Sequence, residues 1–166
     1  DGGGTIGKVL RNILEEDVKI ILNDKKDYDN VIEMNLSKNC DFCDINYYEE
    51  NIPMFEKYGI ESKILKLRNK KVKLPCGGDI VIEKTEAMTV IDVNTGKNVK
   101  GKNVEKAIFD TNVEAAKEIG RQILLRNISG IVAIDFINMT SKKYKKIVID
   151  ILRDYLKEDN IKFSIV

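Results

Sequence analysis

Residues 87–94, which read AMTVIDVN, are the stretch that decides the fold. They form an apolar run that is short enough to be a buried strand, and they carry the carboxylate Asp92 with Asn94 two residues later. A second run, residues 130–136 (GIVAIDF), has the same character and carries Asp135 near its end. The sequence therefore predicts two buried strands that each end in an acid.

A long amphipathic helix is predicted between the two strands, over residues 104–126. Its apolar positions, among them Ile108, Ala115 and Ile119, recur along one stripe. A strand, a helix and a second strand form a β-α-β crossover, in which the two strands are parallel. Parallel neighbours end at the same edge of a sheet, where open α/β sheets commonly bind ligands. We therefore expect Asp92 and Asp135 to share one edge.

Shorter patterns predict further elements on both sides of this unit. Residues 79–85 (DIVIEKT) alternate in the manner of a half-buried strand, which is expected to pair with residues 86–94. Ser141 is expected to cap a last helix over residues 142–157. Residues 161–166 are then predicted to form a closing strand.

The first half of the chain is predicted to alternate helix and strand around one small sheet. In chain order, the predicted elements are a helix at 5–16, a strand at 18–22, a helix at 27–34, a strand at 44–48, a helical turn at 54–58 and a helix at 60–67. Residues 2–7 (GGGTIG) match a dinucleotide-binding glycine pattern. No strand precedes them, so we interpret them as a flexible entry to the first helix.

Composition excludes several classes of protein. With 43% hydrophobic residues, 33% charged residues and a net charge of +1, the chain resembles an ordinary soluble globular protein. No apolar run approaches the roughly 20 residues of a membrane span, so none is expected. The absence of histidine excludes Ser-His-Asp catalysis and His-ligated metal sites within this chain. Three cysteines do not suggest a disulfide framework, and we expect a cytoplasmic location.

The cysteines have two open interpretations. Cys40 and Cys43 form a lone C-x-x-C, and Cys76 is the only other cysteine in the sequence. A zinc site usually needs a second pair of ligands. We interpret the pair as structural or incidental thiols, with a metal site shared between molecules as the alternative.

The paired acids suggest a metal site of oxygen ligands. Asp92 and Asp135 would suit a hard cation such as Mg²⁺, which keeps several waters and takes one or two protein carboxylates. Asn94 is placed to hold the Asp92 carboxylate by an amide hydrogen bond. The alternative from the residues alone is that these aspartates are helix caps or turn formers at strand ends.

Two stretches resemble a known family. Residues 74–97 (LPCGGDIVIEKTEAMTVIDVNTGK) and 111–139 (TNVEAAKEIGRQILLRNISGIVAIDFINM) are similar in order and spacing to the catalytic core of the RNase E/RNase G endoribonucleases. Residues 10–67 resemble it more faintly. The resemblance implies a mixed α/β protein, with a partial RNase H-like subdomain over residues 1–72 and a deoxyribonuclease-I-like catalytic subdomain over residues 73–166.

The resemblance also implies an activity and a site. Members of the family cleave single-stranded RNA to leave 5′-phosphate ends, with Mg²⁺ held by two aspartates, and Mn²⁺ is expected to substitute. The family's D-x-N motif falls on Asp92 and Asn94, and its second ligand falls on Asp135. The chain departs from the family pattern at Asn138, where an acid is usual. The alternative function is a non-catalytic RNA-binding or assembly module of the same fold.

Other family features are not recognisable in this sequence. The usual RNA-binding domain, the pocket that senses the RNA 5′ end and the zinc-sharing cysteine pair are all missing, so the chain resembles an internal fragment without the zinc site. Homo-oligomer formation is left open. RNA contact is expected from four lysines after the first acid: Lys97, Lys100, Lys102 and Lys106. Four lysines after the second acid are interpreted as a solvated helix face: Lys142, Lys143, Lys145 and Lys146.

Overall fold

The computed structural model describes residues 18–38, 43–96, 104–158 and 163–166. The predicted helix at 5–16, the glycine stretch at 2–7 and Cys40 lie outside these residues. The chain divides into two compact units, Asp1–Ser62 and Lys63–Val166. The predicted boundary between residues 72 and 73 stays a prediction.

The first unit contains a β-α-β arrangement. Its described elements are β1 (Val18–Leu22), α1 (Lys25–Lys38), β2 (Cys43–Tyr47) and α2 (Met54–Lys57). Strands β1 and β2 pair in parallel, with Val18 opposite Cys43. The Asp24 carboxylate accepts a hydrogen bond from the Asp27 N–H at 2.9 Å, the contact by which an aspartate caps a helix. The predicted alternation of helix and strand is confirmed here.

The second unit is a four-stranded sheet with two long helices. Helix α3 (Ile60–Lys66) spans the division between the units, and the second unit continues with β3 (Lys71–Lys73), β4 (Asp79–Lys84), β5 (Met88–Asn94), α4 (Val104–Leu125), β6 (Ile131–Asp135) and α5 (Lys142–Glu158). The sheet order is β3-β4-β5-β6, antiparallel except for the parallel pair β5-β6. The predicted crossover through α4 is therefore confirmed.

One face of the sheet packs into the core with α4 and α5. The core side chains are buried apolar residues of the strands and both helices: Ile80, Ile82, Ile91, Val93, Ala115, Ala116, Ile119, Ile123, Val148, Leu152 and Leu156. Helix α4 approaches α5 closely, since a Cβ at Gly120 would lie 2.8 Å from the Tyr155 Cβ. No helix among the described residues combines the length and the apolar content needed to cross a lipid bilayer.

The opposite face of the sheet is exposed, so the prediction of two fully buried strands is wrong. Exposed and buried residues alternate along β5, and Val90 is 37% exposed. On β6, Ile131 is 64% exposed. The continuous apolar runs suggested burial on both faces, whereas both helices pack against one face only.

One strand was missed, and one predicted strand is wrong. The three-residue strand β3 was not predicted, because a run of KVK is too short to show a period. The predicted closing strand at 161–166 is wrong, since residues 163–166 are not in a strand. Their β-like composition is not enough, because a strand needs a hydrogen-bonded neighbour and no described strand pairs with them.

Candidate metal centre

Asp92 and Asp135 are direct neighbours across the parallel strands β5 and β6. They are register partners at the carboxyl ends of the two strands, and both are exposed. Side chains of register partners project to the same face of a sheet, and neighbouring strands lie about 4.8 Å apart. The expectation that the two acids share one edge is confirmed. Their role as metal ligands stays a prediction.

Asn94 holds the Asp92 carboxylate. It lies two residues further along β5, on the same exposed face. Its Nδ2 donates to Asp92 Oδ2 at 2.8 Å and, more weakly, to Asp79 Oδ1 at 3.5 Å. The amide thus bridges two carboxylates, which restricts the orientation of Asp92.

Asp79 is a residue of this cluster that the sequence analysis missed. It begins β4 directly opposite Asn94. Its carboxylate is 17% exposed and forms an ion pair with Lys71 Nζ of β3 at 2.8 Å. Counting back along the predicted hairpin from its turn would have placed Asp79 opposite Asn94. The ion pair with Lys71 could not have been predicted, because the strand that carries Lys71, β3, was not predicted.

The backbone is closely packed behind Asn94. A Cβ at Gly78 would lie 2.6 Å from the Asn94 carbonyl oxygen, and a Cβ at Gly96 would lie 2.6 Å from the Gly77 carbonyl oxygen. Backbone atoms cannot yield as a flexible side chain can, so both positions need glycine. The turn that contains Gly77 and Gly78 therefore packs against the segment that leaves β5.

An open groove lies beside this cluster. Its volume is about 920 Å³, and its lining includes Lys71, Lys73, Asp79, Asn94 and Asp110. Asn94 lines the groove, whereas Asp92 and Asp135 do not, so the groove adjoins the cluster without containing the two acids.

One of the four predicted RNA-binding lysines lies among the described residues. Lys97, Lys100 and Lys102 lie outside the described residues, and Lys106 is exposed in the first turn of α4. The second cluster is exposed at the start of α5, as interpreted from the sequence: Lys142, Lys143, Lys145 and Lys146. The position of Lys106 leaves it accessible to a ligand, and its contact with RNA stays a prediction.

The donor set fits a hard cation. It consists of the Asp92 and Asp135 carboxylates, and the Asn94 amide nitrogen already donates to one of them. The part of the chain that the structure describes contains no group of three or more His, Cys, Asp or Glu side chains that could bind a metal ion together. Two carboxylates with the other positions left to water and substrate suit Mg²⁺ better than zinc. The fold and the site thus define an α/β protein with a candidate two-aspartate centre.

Comparison with known proteins identifies the family. The Ribonuclease E/G family model matches residues 2–166, and the chain belongs to this family. The chain is 37% identical to Ribonuclease E of Buchnera aphidicola subsp. Schizaphis graminum over 163 residues, which are 96% of this chain and 17% of that protein. It is 44% identical to Ribonuclease G of Haemophilus influenzae over 118 residues, 71% of this chain and 24% of that protein.

A third relative is similar to the chain over a comparable stretch. The chain is 42% identical to Ribonuclease E of Escherichia coli over 121 residues, 73% of this chain and 11% of that protein. The chain thus spans between about a tenth and a quarter of the length of these three relatives. The predicted family resemblance is confirmed.

Proposed function

We propose that this chain is the catalytic core of an endoribonuclease that cleaves single-stranded RNA, requires Mg²⁺ and leaves 5′-phosphate ends. The observation that carries the proposal is the in-register pair of Asp92 and Asp135 on an exposed sheet face. Membership of the Ribonuclease E/G family supports RNA as the substrate. An exposed face can admit an extended strand of RNA, which a closed pocket would exclude.

Each of the three polar residues has its own role in the proposed site. Asp92 and Asp135 would hold Mg²⁺ or, in its place, Mn²⁺, and Asn94 orients Asp92 through its 2.8 Å hydrogen bond. When bound, the ion polarises the phosphodiester and stabilises charge on the leaving oxygen. Hydrolysis adds the oxygen of water to phosphorus and breaks the bond to the 3′-oxygen, which leaves the phosphate on the 5′ side of the downstream product.

Phosphate contacts position the RNA. We assign them to the four lysines that follow the first acid: Lys97, Lys100, Lys102 and Lys106. We also assign residues 1–72 to an RNase H-like subdomain and residues 73–166 to a deoxyribonuclease-I-like one, on the family resemblance. A cytoplasmic location is consistent with an RNA substrate and with the free thiol of Cys76.

Cleavage of a labelled oligoribonucleotide tests the proposal. With a 5′-monophosphorylated single-stranded RNA and millimolar Mg²⁺, we expect endonucleolytic products whose downstream fragments carry 5′-phosphates. Chelation by EDTA should stop cleavage, and Mn²⁺ should restore it. The same sequence in a fully paired duplex is the control, and it should stay intact.

Three results would contradict the proposal. Cleavage that continued in EDTA, or products with 5′-hydroxyl ends, would exclude the two-aspartate metal site as the source of activity. RNA binding without any cleavage would instead favour the non-catalytic RNA-binding or assembly module.

The chain offers a matched test of Asn94. Asn94→Ala should weaken Mn²⁺ binding by about ten- to a hundredfold, because partners that orient metal ligands typically contribute that much. The control is Asn46→Ala in β2, where Asn46 Nδ2 donates to Asp44 Oδ1 at 2.7 Å in the same D-x-N spacing. Isothermal titration calorimetry gives both affinities. An equal response of the two variants would remove Asn94 from the site.

A further inference from the structure

Asn112 is a fully buried amide in the middle of α4. Its side chain is 0% exposed and follows the stripe of buried Ala115 and Ile119. Its Nδ2 donates to the Ile137 carbonyl oxygen at 2.8 Å, and its Oδ1 accepts from the Ile137 N–H at 3.1 Å. Both hydrogen bonds therefore go to the backbone of one residue, as they do between paired residues of adjacent antiparallel strands.

Ile137 lies two residues beyond Asp135, where the sheet ends. The register of β5 with β6 stops at the pair Asp92 and Asp135. The Asn112 amide satisfies the backbone of Ile137 just beyond that point. A buried amide without partners is costly, so Asn112 is tolerated here only when the chain follows this path out of the sheet.

A second contact from the same helix holds the other end of the loop. The Glu105 carboxylate lies two turns before Asn112 and accepts hydrogen bonds from the Thr140 hydroxyl and from the Ser141 N–H, the latter at 3.1 Å. Met139, between the two contacts, is only 5% exposed. The loop at residues 136–141 is thus fixed along α4 at both ends.

From these contacts we infer that Asn112 is a positioning residue for Asp135. It fixes the backbone directly after the acid and so sets where the Asp135 carboxylate stands relative to Asp92. Asn112 is fully buried and cannot touch RNA or a cation itself. The inference rests on the proposed function, because it assigns Asn112 a part in the same two-aspartate centre.

A pair of buried-amide variants tests this role. Asn112→Leu removes both hydrogen bonds to Ile137. The control is Gln122→Leu on the same helix, where Gln122 is 3% exposed and its side chain bonds to Glu118 and to Arg126, which directly follows the helix. Both changes remove a buried amide and should lower the melting temperature, so stability alone does not separate them.

Two measurements below both melting temperatures do separate them. Amide hydrogen exchange at Ile137 should accelerate by about tenfold or more in Asn112→Leu, because its acceptor is gone. The dissociation constant for Mn²⁺ should rise by about tenfold in the same variant and stay within about twofold in Gln122→Leu. Asn112→Asp is the second variant if Asn112→Leu does not fold. It keeps the side-chain volume and should also lose Mn²⁺ affinity, because the donor to the Ile137 carbonyl is removed.

The outcomes are distinct. Unchanged Mn²⁺ affinity in the Asn112 variants, or an equal loss in Gln122→Leu, would overturn the positioning role while leaving the proposed function intact. Failure of the wild-type chain to bind Mn²⁺ would overturn the proposed function itself, and with it any role for Asn112 at that site.

Discussion

Replacement of Asp92 by Asn should lower the rate of RNA cleavage by about a thousandfold, which corresponds to about 4 kcal/mol of transition-state stabilisation. Under the proposed function, the Asp92 carboxylate is one of the two charged groups that hold the cation, and the amide that replaces it carries no charge. The variant should stay folded, because like charges directly opposite each other destabilise a sheet and the substitution removes one of them. Single-turnover cleavage with saturating Mg²⁺ measures the effect.

The matched control for Asp92→Asn is Glu83→Gln on the neighbouring strand β4. It removes the same charge from the same sheet, and with it only the exposed ion pair of Glu83 with Lys70 at 3.1 Å. Exposed ion pairs of this kind contribute about 0–1 kcal/mol to stability. The pair of Glu83 with Lys70 includes neither Asp92 nor Asp135. We expect the cleavage rate of Glu83→Gln to match the wild type. If Asp92→Asn cut RNA as fast as Glu83→Gln, the metal centre would be misassigned.

Replacement of Asp135 by Asn should have the same effect as that of Asp92, and the double variant should be hardly worse than either single one. Two acids that hold one ion act as a unit, and the effects of residues in one unit are far from additive. Independent sites would instead multiply to a loss of about a millionfold. The comparison of the three rates therefore tests directly whether Asp92 and Asp135 form one site.

A variant on helix α5 controls for the loss of a negative charge in this comparison of single and double variants. Asp154→Asn changes an exposed acid of α5 and should leave the rate unchanged in both the wild type and Asp92→Asn. A double acid variant that lost activity multiplicatively would show two separate functions for the paired residues. A single Asp135→Asn with normal activity would leave Asp92 without its proposed partner.

The sequence predicted the parts of the fold that depend on long periodic patterns. Strands β4 and β5, helix α4 and strand β6 carry such patterns, and the parallel β-α-β crossover then places Asp92 and Asp135 at the same edge of the sheet. Their exact register was not predicted. Exposure was mispredicted for β5 and β6, because an apolar run shows that a strand can be buried but not how many faces a neighbour covers. The strand predicted at the C-terminus failed for a related reason, since pairing depends on a partner.

The supporting residues of the site were harder to predict. Asn112 stands four residues after Ile108 and three before Ala115, so it is a polar residue at an apolar position of a helix stripe. That exception was a usable signal for a buried hydrogen bond, although the sequence could not name Ile137 as its partner. Asp79 gave a weaker signal, because its contacts depend on the register of a hairpin and on the short strand β3.

The crossover between the acids has a consequence for how the two acids come together as the protein folds. The 22-residue helix α4 separates the two strands along the chain, so the pairing of β6 with β5 closes a long loop. Non-local parallel pairing of this kind costs loop-closure entropy before its contacts form, and it belongs to the slow part of folding. A chain in which β6 has not yet joined β5 therefore lacks the pairing of Asp92 with Asp135.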